Sequence, residues 1–438
     1  MKMIWLTVML LLSIAFGGEL TLERVIEDTL KNSLELKALK HELKSYELEY
    51  KSARAQLFPN LKVEESFTRT DIPAYVLFTK LNQERITPVD FTPANLNNPS
   101  AVNNFETKLS LELPLWLGGK LRAFKNMALY KKQAQEKTFL RKQEEVLFKA
   151  YEAFLGVSLA NSAVEVARRN VHDAQEHLRI AKKLHKVGMA LLSDILRAEV
   201  FLKKAQEKLT EAENKRKVAL KALSLVTDTN YEGYTYPRLP ECKPLNLSEL
   251  KEKALKNRQD LIALEDSLRI LKEGYRASVG DTLPQIFAFA SYNLYDKDTP
   301  FGSQGSGYMF GVKVSLSFNT GLSPIYKARS FREKERMLLA RRELLRKAIL
   351  FEVDKAYSEY ETSLTALESA EARLKSAQEA VRIIRTRYEN GLARMVDLLD
   401  AQTQLENARF DYLQALYRCN LSYGKALLGA GIFKEVIR

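Results

Sequence analysis

The sequence predicts a mainly α-helical chain with a membrane β-barrel portion, four β-strands per copy, and three observations predict it. Long stretches repeat apolar residues at alternating spacings of three and four. Four short windows alternate apolar and polar residues with period two. The whole pattern occurs twice along the 438 residues.

The chain opens on a predicted export signal, residues 1–18. Lys2 supplies the positive start, residues 4–16 are apolar, and Ala15, Gly17 and Gly18 offer a cleavage site before Glu19. The apolar run is shorter than the roughly 20 residues a membrane span needs, so a cleaved signal is preferred to an anchor. Only Cys242 and Cys419 occur, which excludes a disulfide framework. One bridge between them is open in an oxidising periplasm, but two free, partly buried thiols are the preferred reading. The formal net charge is +13. Nucleic acid is not expected as a partner, because the Lys and Arg are interleaved with Glu along helices. A local basic excess over 120–142 and 327–347 follows two of the proposed strands. It sits either near anionic inner-leaflet headgroups or on a plain solvated face.

The duplication is explicit. Leu20 opens LTLERVIEDTLKNS and Leu245 opens LNLSELKEKALKNR, in register over about 40 residues at an offset of 225. Pairs include Asn32 with Asn257, Tyr50 with Tyr275 and Pro59 with Pro284. Further on, Gly188 pairs with Gly391 and Asp194 with Asp397, now at an offset of 203. The difference of 22 residues falls in a Pro- and Asn-rich segment, 70–104, whose counterpart, about 296–306, is short. A surface loop of variable length explains it. The predicted organisation is one unit over 19–438 made of tandem repeats, about 19–226 and 245–430.

Strands are expected near 61–70, 104–114, 285–295 and 307–318. Phe105, Thr107, Leu109, Leu111 and Leu113 alternate with Glu106, Lys108, Ser110 and Glu112. Tyr308, Phe310, Val312, Val314, Leu316 and Phe318 alternate with Met309, Gly311, Lys313, Ser315 and Ser317. Each window has about the 9–11 residues of a tilted membrane strand, with one face for lipid and one for a wet lumen. A half-buried sheet in a soluble protein is the alternative. Four strands cannot close a barrel, and open edges are not tolerated in lipid, so several copies must pool their strands.

The remainder reads as long helix. Val164, Ala167, Val171, Ala174, Leu178 and Ala181 form one seam, and Leu191, Ile195, Ala198, Leu202, Ala205, Leu209 and Ala212 continue it. Leu367, Ala370, Leu374, Ala377, Val381, Ile384 and Tyr388 form its counterpart, followed by Leu398, Ala401, Leu405, Ala408, Tyr412, Ala415 and Cys419. Alternating large residues with Ala allows close helix approach. Both seams break near 188 and 391, read as the tips of helical hairpins, with a continuous rod carrying a tolerated Gly as the alternative. The helix preceding Gly188 would run roughly 100 Å at 1.5 Å per residue. Segment 227–244, with Pro237, Pro240 and Pro244, breaks the rod and reads as a linker that, with the chain ends, forms a belt.

The paired opening motifs, LSLELPLWLGGK from Leu109 and RYENGLARMVDLLDAQTQLENAR from Arg387 resemble the TolC-like outer-membrane efflux protein family. The resemblance spans nearly the whole mature chain. It implies a homotrimer whose copies build one twelve-stranded barrel in the outer membrane, above a twelve-helix tunnel in the periplasm. Such a chain would be the passive exit duct of a tripartite efflux pump or a type I secretion system. Its partners would be a periplasmic adaptor (membrane-fusion) protein, an inner-membrane pump of RND or ABC type, and outer-membrane lipid.

The resemblance also implies site residues. Asp397 and Asp400, six and nine residues past the second tip glycine, would form the periplasmic gate constriction, where like charges repel and cations are favoured. Solvated surface aspartates are the alternative. The gate lock would be Tyr388 bonding to Asp194, with an arginine nearby. The family's arginine position holds Ala393, and Arg394 comes one residue later, which turns it by about 100° on a helix. Tyr388 also continues the heptad and can simply pack. Adaptor docking would use the tips, Val187-Gly188-Met189 and Asn390-Gly391-Leu392, with Met189 and Asn390 departing from the family's pattern. The second strand-to-helix junction, Phe318-Asn319-Thr320-Gly321, lacks the usual proline.

No catalytic residue, metal site or cofactor is expected, and the chain is not read as an enzyme. His41, His172, His177 and His185 show no i, i+4 pair, and no Gly-rich phosphate loop is present. The competing reading is a periplasmic coiled-coil adaptor or scaffold, which explains the heptads but not four alternating strands at duplicated positions.

Overall fold

The structure is a computed structural model that describes residues 18–437. The predicted export signal, apart from Gly18, lies outside the described residues. The elements in chain order are α1 (Leu22–Asn32), α2 (Leu34–Ala55), β1 (Asn60–Thr70), α3 (Pro73–Asn82), a 3-10 turn (Pro88–Phe91), α4 (Pro93–Asn97), β2 (Val102–Leu117), α5 (Lys120–Lys186) and α6 (Leu192–Thr227). There follow α7 (Leu247–Asn257), α8 (Gln259–Gly280), β3 (Gln285–Asp296), β4 (Gly305–Ser315), α9 (Ser323–Glu389), α10 (Met395–Gly429) and α11 (Phe433–Val436). Helices α1 and α7 have 11 residues each, α2 and α8 have 22, and α5 and α9 have 67. The chain divides into two compact units. One comprises the residues up to Glu42, Lys137–Ile262 and Glu343 onward; the other comprises Leu43–Glu136 and Ala263–Arg342.

The second unit holds an antiparallel sheet in the order β1-β2-β3-β4. Its strands join helices through tight junctions. At the β2–α5 junction Gly118 has φ +61°, and a Cβ there would overlap the Gly280 carbonyl of α8. Both the left-handed backbone and the close approach require the missing side chain. At the other junction Leu322 takes φ +55° before α9. Strand β4 ends at Ser315, so Leu316 and Phe318 lie beyond it, whereas β2 runs further than expected, to Leu117, through a bulge between Pro114 and Trp116. Segment 70–104 contains α3, the 3-10 turn and α4. Helix α3 seats Val76 at 3 % exposure and buries Gln83 at its C-cap, whose amide donates to Asn103 O, Asn104 Oδ1 and Asp296 O. A Pro at N1 starts α3, and the buried amide bonds hold its end on the sheet.

The first unit is built from the hairpins α5–α6 and α9–α10 with α1, α7 and α11. Its main core joins Leu147, Tyr151 and Leu155 of α5, Leu250 and Ala254 of α7, Ile349 and Val353 of α9, Leu413, Leu416 and Leu427 of α10, and Phe433 of α11. Arg258 and Arg141 donate to the carbonyls of Gly429 and Leu428, placing two cations on the C-terminus of α10, where the helix dipole favours them. The linker is strapped to the helices by its backbone carbonyls. Asn161 donates to Tyr236 O, Asn420 to Pro240 O and Tyr360 to Lys243 O. The N-terminal residues pair with the linker, Leu20 N–H donating to Thr235 O.

Cys242 and Cys419 are not free thiols. They form a disulfide between the linker and α10, with Cα atoms 6.0 Å apart. The heptad reading put Cys419 in the buried seam but gave no sign that the linker crosses it there. The seam of α5 follows the expectation in part. Val164, Ala167, Ala174 and Ala181 are buried as expected, but so are Asn170, His177 and Ile180, while Val171 and Leu178 are half-buried. Helix α5 makes polar contacts to both α6 and α10, so its buried stripe is wider than one two-helix seam, and two polar residues fall inside it. The α9 and α10 seams keep the expected spacing. Leu191, expected to begin the α6 seam, is instead 70 % exposed at the helix N-cap.

Candidate functional site

The sheet separates two chemistries by register. Opposed residues in an antiparallel pair project to the same side. Leu61 pairs with Leu111, Val63 with Leu109 and Phe67 with Phe105. Leu109 pairs with Tyr292, Leu111 with Ala290 and Leu113 with Ala288. Those in turn meet Tyr308, Phe310 and Val312. One side is therefore mainly apolar across all four strands, interrupted by Glu65, which accepts from the Thr107 hydroxyl opposite it, and Val63, Phe67, Phe310 and Val312 are all more than half exposed on it. The other side carries Lys62, Glu64, Glu106, Lys108, Glu112 and Lys313, with Phe287 and Phe289 of β3 among them. The outer edges of β1 and β4 have no partner strand among the described residues.

The far ends of the helical hairpins form the second candidate element. Gly188 and Gly391 both take left-handed backbone, φ +78° and +74°. Each closes its helix with matching bonds: Met189 N–H to Leu184 O, and Leu392 N–H to Arg387 O. Three residues later each next helix begins with an N-cap that lacks a side-chain acceptor. The carboxylate three residues further in compensates, Asp194 accepting from Leu191 N–H at 3.2 Å and Asp397 from Arg394 N–H at 3.1 Å. A Cβ on Gly391 would lie 3.1 Å from the Met189 methyl, so the two tips touch. Val187, Met189 and Leu392 are 55–69 % exposed. A pocket of about 410 Å³ at this end is lined by Gly188, Asp194, Tyr388, Gly391 and Arg394, among others.

The candidate gate residues are placed as follows. Asp397 is half-buried and Asp400 exposed on α10. Arg394 reaches Asp397 through Nη2–Oδ1 at 3.1 Å, and this hydrogen bond with the backbone N–H holds the Asp397 carboxyl below its usual range. The expected Tyr388–Asp194 hydrogen bond is not formed within this chain. Tyr388 is 3 % exposed among Ile180, Leu184, Met395 and Leu398, and its hydroxyl has no partner. Burial, then the charge of Asp194, pushes the phenol up to about 12. The α6 N-cap claims Asp194, and Arg394 turns to its own helix, so neither is free for the tyrosine.

A buried polar seam between α5 and α10, about three helical turns from the tip, was not anticipated. His177 Nε2 lies 3.3 Å from Gln402 Oε1, Gln402 Nε2 donates to Asp173 Oδ2, and Arg409 Nη1 donates to Asp173 and Asn170. Glu406, 6 % exposed, pairs with Lys208 of α6 at 3.0 Å. Polar residues at three-and-four spacing on both helices were its only signal in the sequence. Among the described residues no cluster of His, Cys, Asp and Glu is placed to hold a metal, and no helix is long and apolar enough to cross a membrane.

A family model described as outer membrane efflux protein matches residues 25–227 and 250–422. Alkaline protease secretion protein AprF of Pseudomonas aeruginosa is 22 % identical over 341 residues, covering 74 % of this chain and 70 % of that protein. Outer membrane protein TolC of Escherichia coli is 22 % identical over 373 residues, covering 78 % and 74 %. The crystal structure of the Campylobacter jejuni CmeC outer membrane channel superposes with a TM-score of 0.75 at 17 % identity, covering 94 % of this chain and 86 % of that one.

Proposed function

Since the chain belongs to the outer membrane efflux protein family, it is an outer-membrane exit channel, and we propose that it works as a homotrimer with a gated periplasmic end. The observation that carries the trimer is the open sheet. Four strands share a mainly apolar side and end in two edges without a partner strand among the described residues. Unpaired backbone groups cost several kcal/mol each in lipid, so β4 of one copy must bond β1 of the next until a cylinder closes. Three copies give about twelve strands, within the size range of bacterial barrels. The polar side then lines the lumen. The α5–α6 and α9–α10 hairpins lie in the periplasm. A periplasmic coiled-coil adaptor or scaffold, the competing reading, leaves the two-sided sheet without a purpose.

At the periplasmic end the exposed Val187, Met189 and Leu392 offer an apolar rim for a periplasmic adaptor, which would couple the duct to an inner-membrane pump of RND or ABC type. Asp397 and Asp400 of three copies would ring the constriction. Arg394 offsets Asp397 within each copy, so Asp400 supplies most of the uncompensated charge. Cargo would move down its gradient or under force from the pump. Mixed trimers of chains with two different tags test the assembly: both tags should co-purify from detergent in one heat-resistant species, and strictly unmixed copies would refute it.

A further inference from the structure

The chain's formal net charge of +13 is not spread along it. Residues 120–142 hold eight Lys and Arg against one Glu, and residues 327–347 hold nine against three Glu, which leaves the rest of the chain balanced. Both segments open the helices that leave the sheet, α5 and α9. Each follows an exposed aromatic residue. Trp116, 42 % exposed, pairs with Ile286 on the apolar side, and Phe318, 82 % exposed, follows β4. Tyr326 adds an exposed ring in the first turn of α9. Arg122, Lys327 and Arg329 are exposed and have no acidic partner among the described residues.

Lys120, Lys131, Lys132 and Arg141 meet Asp281, Glu49, Glu136 and Glu144, which leaves Arg122, Lys327 and Arg329, where like charge without an acidic partner raises self-repulsion. Here the order along the chain is apolar band, aromatic residue, cations. That is the order of a bilayer edge: acyl chains, interface, phosphates. The headgroup layer is roughly 5–7 Å thick. At 1.5 Å per residue Arg122, Lys327 and Arg329 lie within about 9 Å of the starts of α5 and α9, inside the reach of a long side chain. A wet lumen gives Trp116 and Phe318 no reason to be exposed beside those cations.

We infer that the exposed cations at the start of α5 and α9 bind the phosphate headgroups of anionic lipid in the periplasmic leaflet of the outer membrane. The inference rests on the apolar side of the sheet facing lipid. It makes lipid charge a determinant of trimer stability at the lower rim of the barrel, separate from conduction.

The test compares the trimer in phosphatidylcholine vesicles with and without a third of phosphatidylglycerol, reading the temperature at which the trimer dissociates. The native chain should gain several degrees from the anionic lipid at low salt and lose the gain at 1 M salt, where screening shortens to about 3 Å. The combined variant Arg122→Gln, Lys327→Gln, Arg329→Gln should lose most of the gain, while Lys327→Arg keeps it. If the combined variant does not assemble, each single Gln variant should lose part of the gain. An equal gain in native and Gln variants overturns the inference. So does altered ion selectivity with unchanged lipid dependence, which would place the cations in the lumen facing anionic cargo. Either result with conductance intact leaves the channel reading standing; absence of conductance in native protein strikes that reading instead.

Discussion

Arg394 holds Asp397 across one turn of its own helix, Nη2 to Oδ1 at 3.1 Å and Nε to Oδ2 at 3.3 Å, while the Arg394 N–H donates to the same carboxylate at 3.1 Å. One aspartate thus caps α10 and is neutralised by its own chain. Asp400, one turn further on, is exposed. The proposed ring is therefore asymmetric in charge, and its parts respond differently to substitution.

Replacing Arg394 with Gln should expose three more carboxylates at the constriction of a trimer. Divalent cations should then block the resting pore at concentrations several-fold lower, as expected for close like charges sharing a cation. The combined variant Asp397→Ala, Asp400→Ala should do the reverse, raising resting conductance and weakening block. Planar-bilayer recordings with graded Mg²⁺ decide it; unchanged block in both variants would remove these residues from the constriction.

Tyr388→Phe should be close to neutral. The hydroxyl is buried without a partner, so deleting it removes a desolvated polar group and no bond. Melting temperature should stay level or rise, and resting conductance should not change. Asp194→Ala should instead cost about 1 kcal/mol, because α6 loses its N-terminal acceptor. A leak from Tyr388→Phe would show a tyrosine bond made only between copies.

Acidification should loosen the α5–α10 seam. Burial lowers the pKa of His177, opposed by the Gln402 bond and by Asp173 and Glu176 of its own helix; Arg385 of α9 adds to the lowering, and Arg409 of α10 binds the same Asp173. A folded-state pKa below the unfolded value of about 6.5 means the unfolded chain binds more protons. The stability is fully present above that pH and is lost as pH falls below it. The native chain should melt lower at pH 5.5 than at 7.5, and His177→Gln should flatten the difference. An equally steep dependence in the variant would assign it to other groups.

Reduction should free the linker. The Cys242–Cys419 bridge closes a loop across 177 residues of sequence, worth about 5 kcal/mol in the chain-entropy treatment. Reductant, or Cys242→Ser, should lower the melting temperature and speed amide exchange over 228–246, with conductance unaffected. Identical exchange with and without reductant would show that the side-chain bonds from Asn161, Asn420 and Tyr360 already hold the segment.

The periodic parts of the fold were legible because periodicity is local. The alternation of Leu109 with Ser110 specifies a two-sided strand, and the spacing of Leu398, Ala401 and Leu405 specifies a buried helical seam. What escaped depends on partners distant in sequence. Nothing near Cys419 says that Cys242 crosses it, and nothing near Gln83 says that its amide reaches Asp296. His177 falls in the stripe of α5 facing α10, one residue from the seam read from apolar spacing alone. At the tips the glycines were readable, since left-handed turns select them, but the competition for Asp194 between a helix cap and Tyr388 was not.

The assembly claim is tested most directly by the strand edges. Pairing β4 of one copy with β1 of the next brings those edges within disulfide reach, about 4.5–5.5 Å between opposed Cβ atoms. A scan placing one Cys along Lys62, Glu64 and Ser66 of β1 and one along Met309, Gly311 and Lys313 of β4, all on the polar side, should find at least one pair that oxidises to a covalent trimer still conducting in lipid bilayers. A scan that yields only uncrosslinked chains, from protein that stays monomeric in detergent, would contradict the shared barrel.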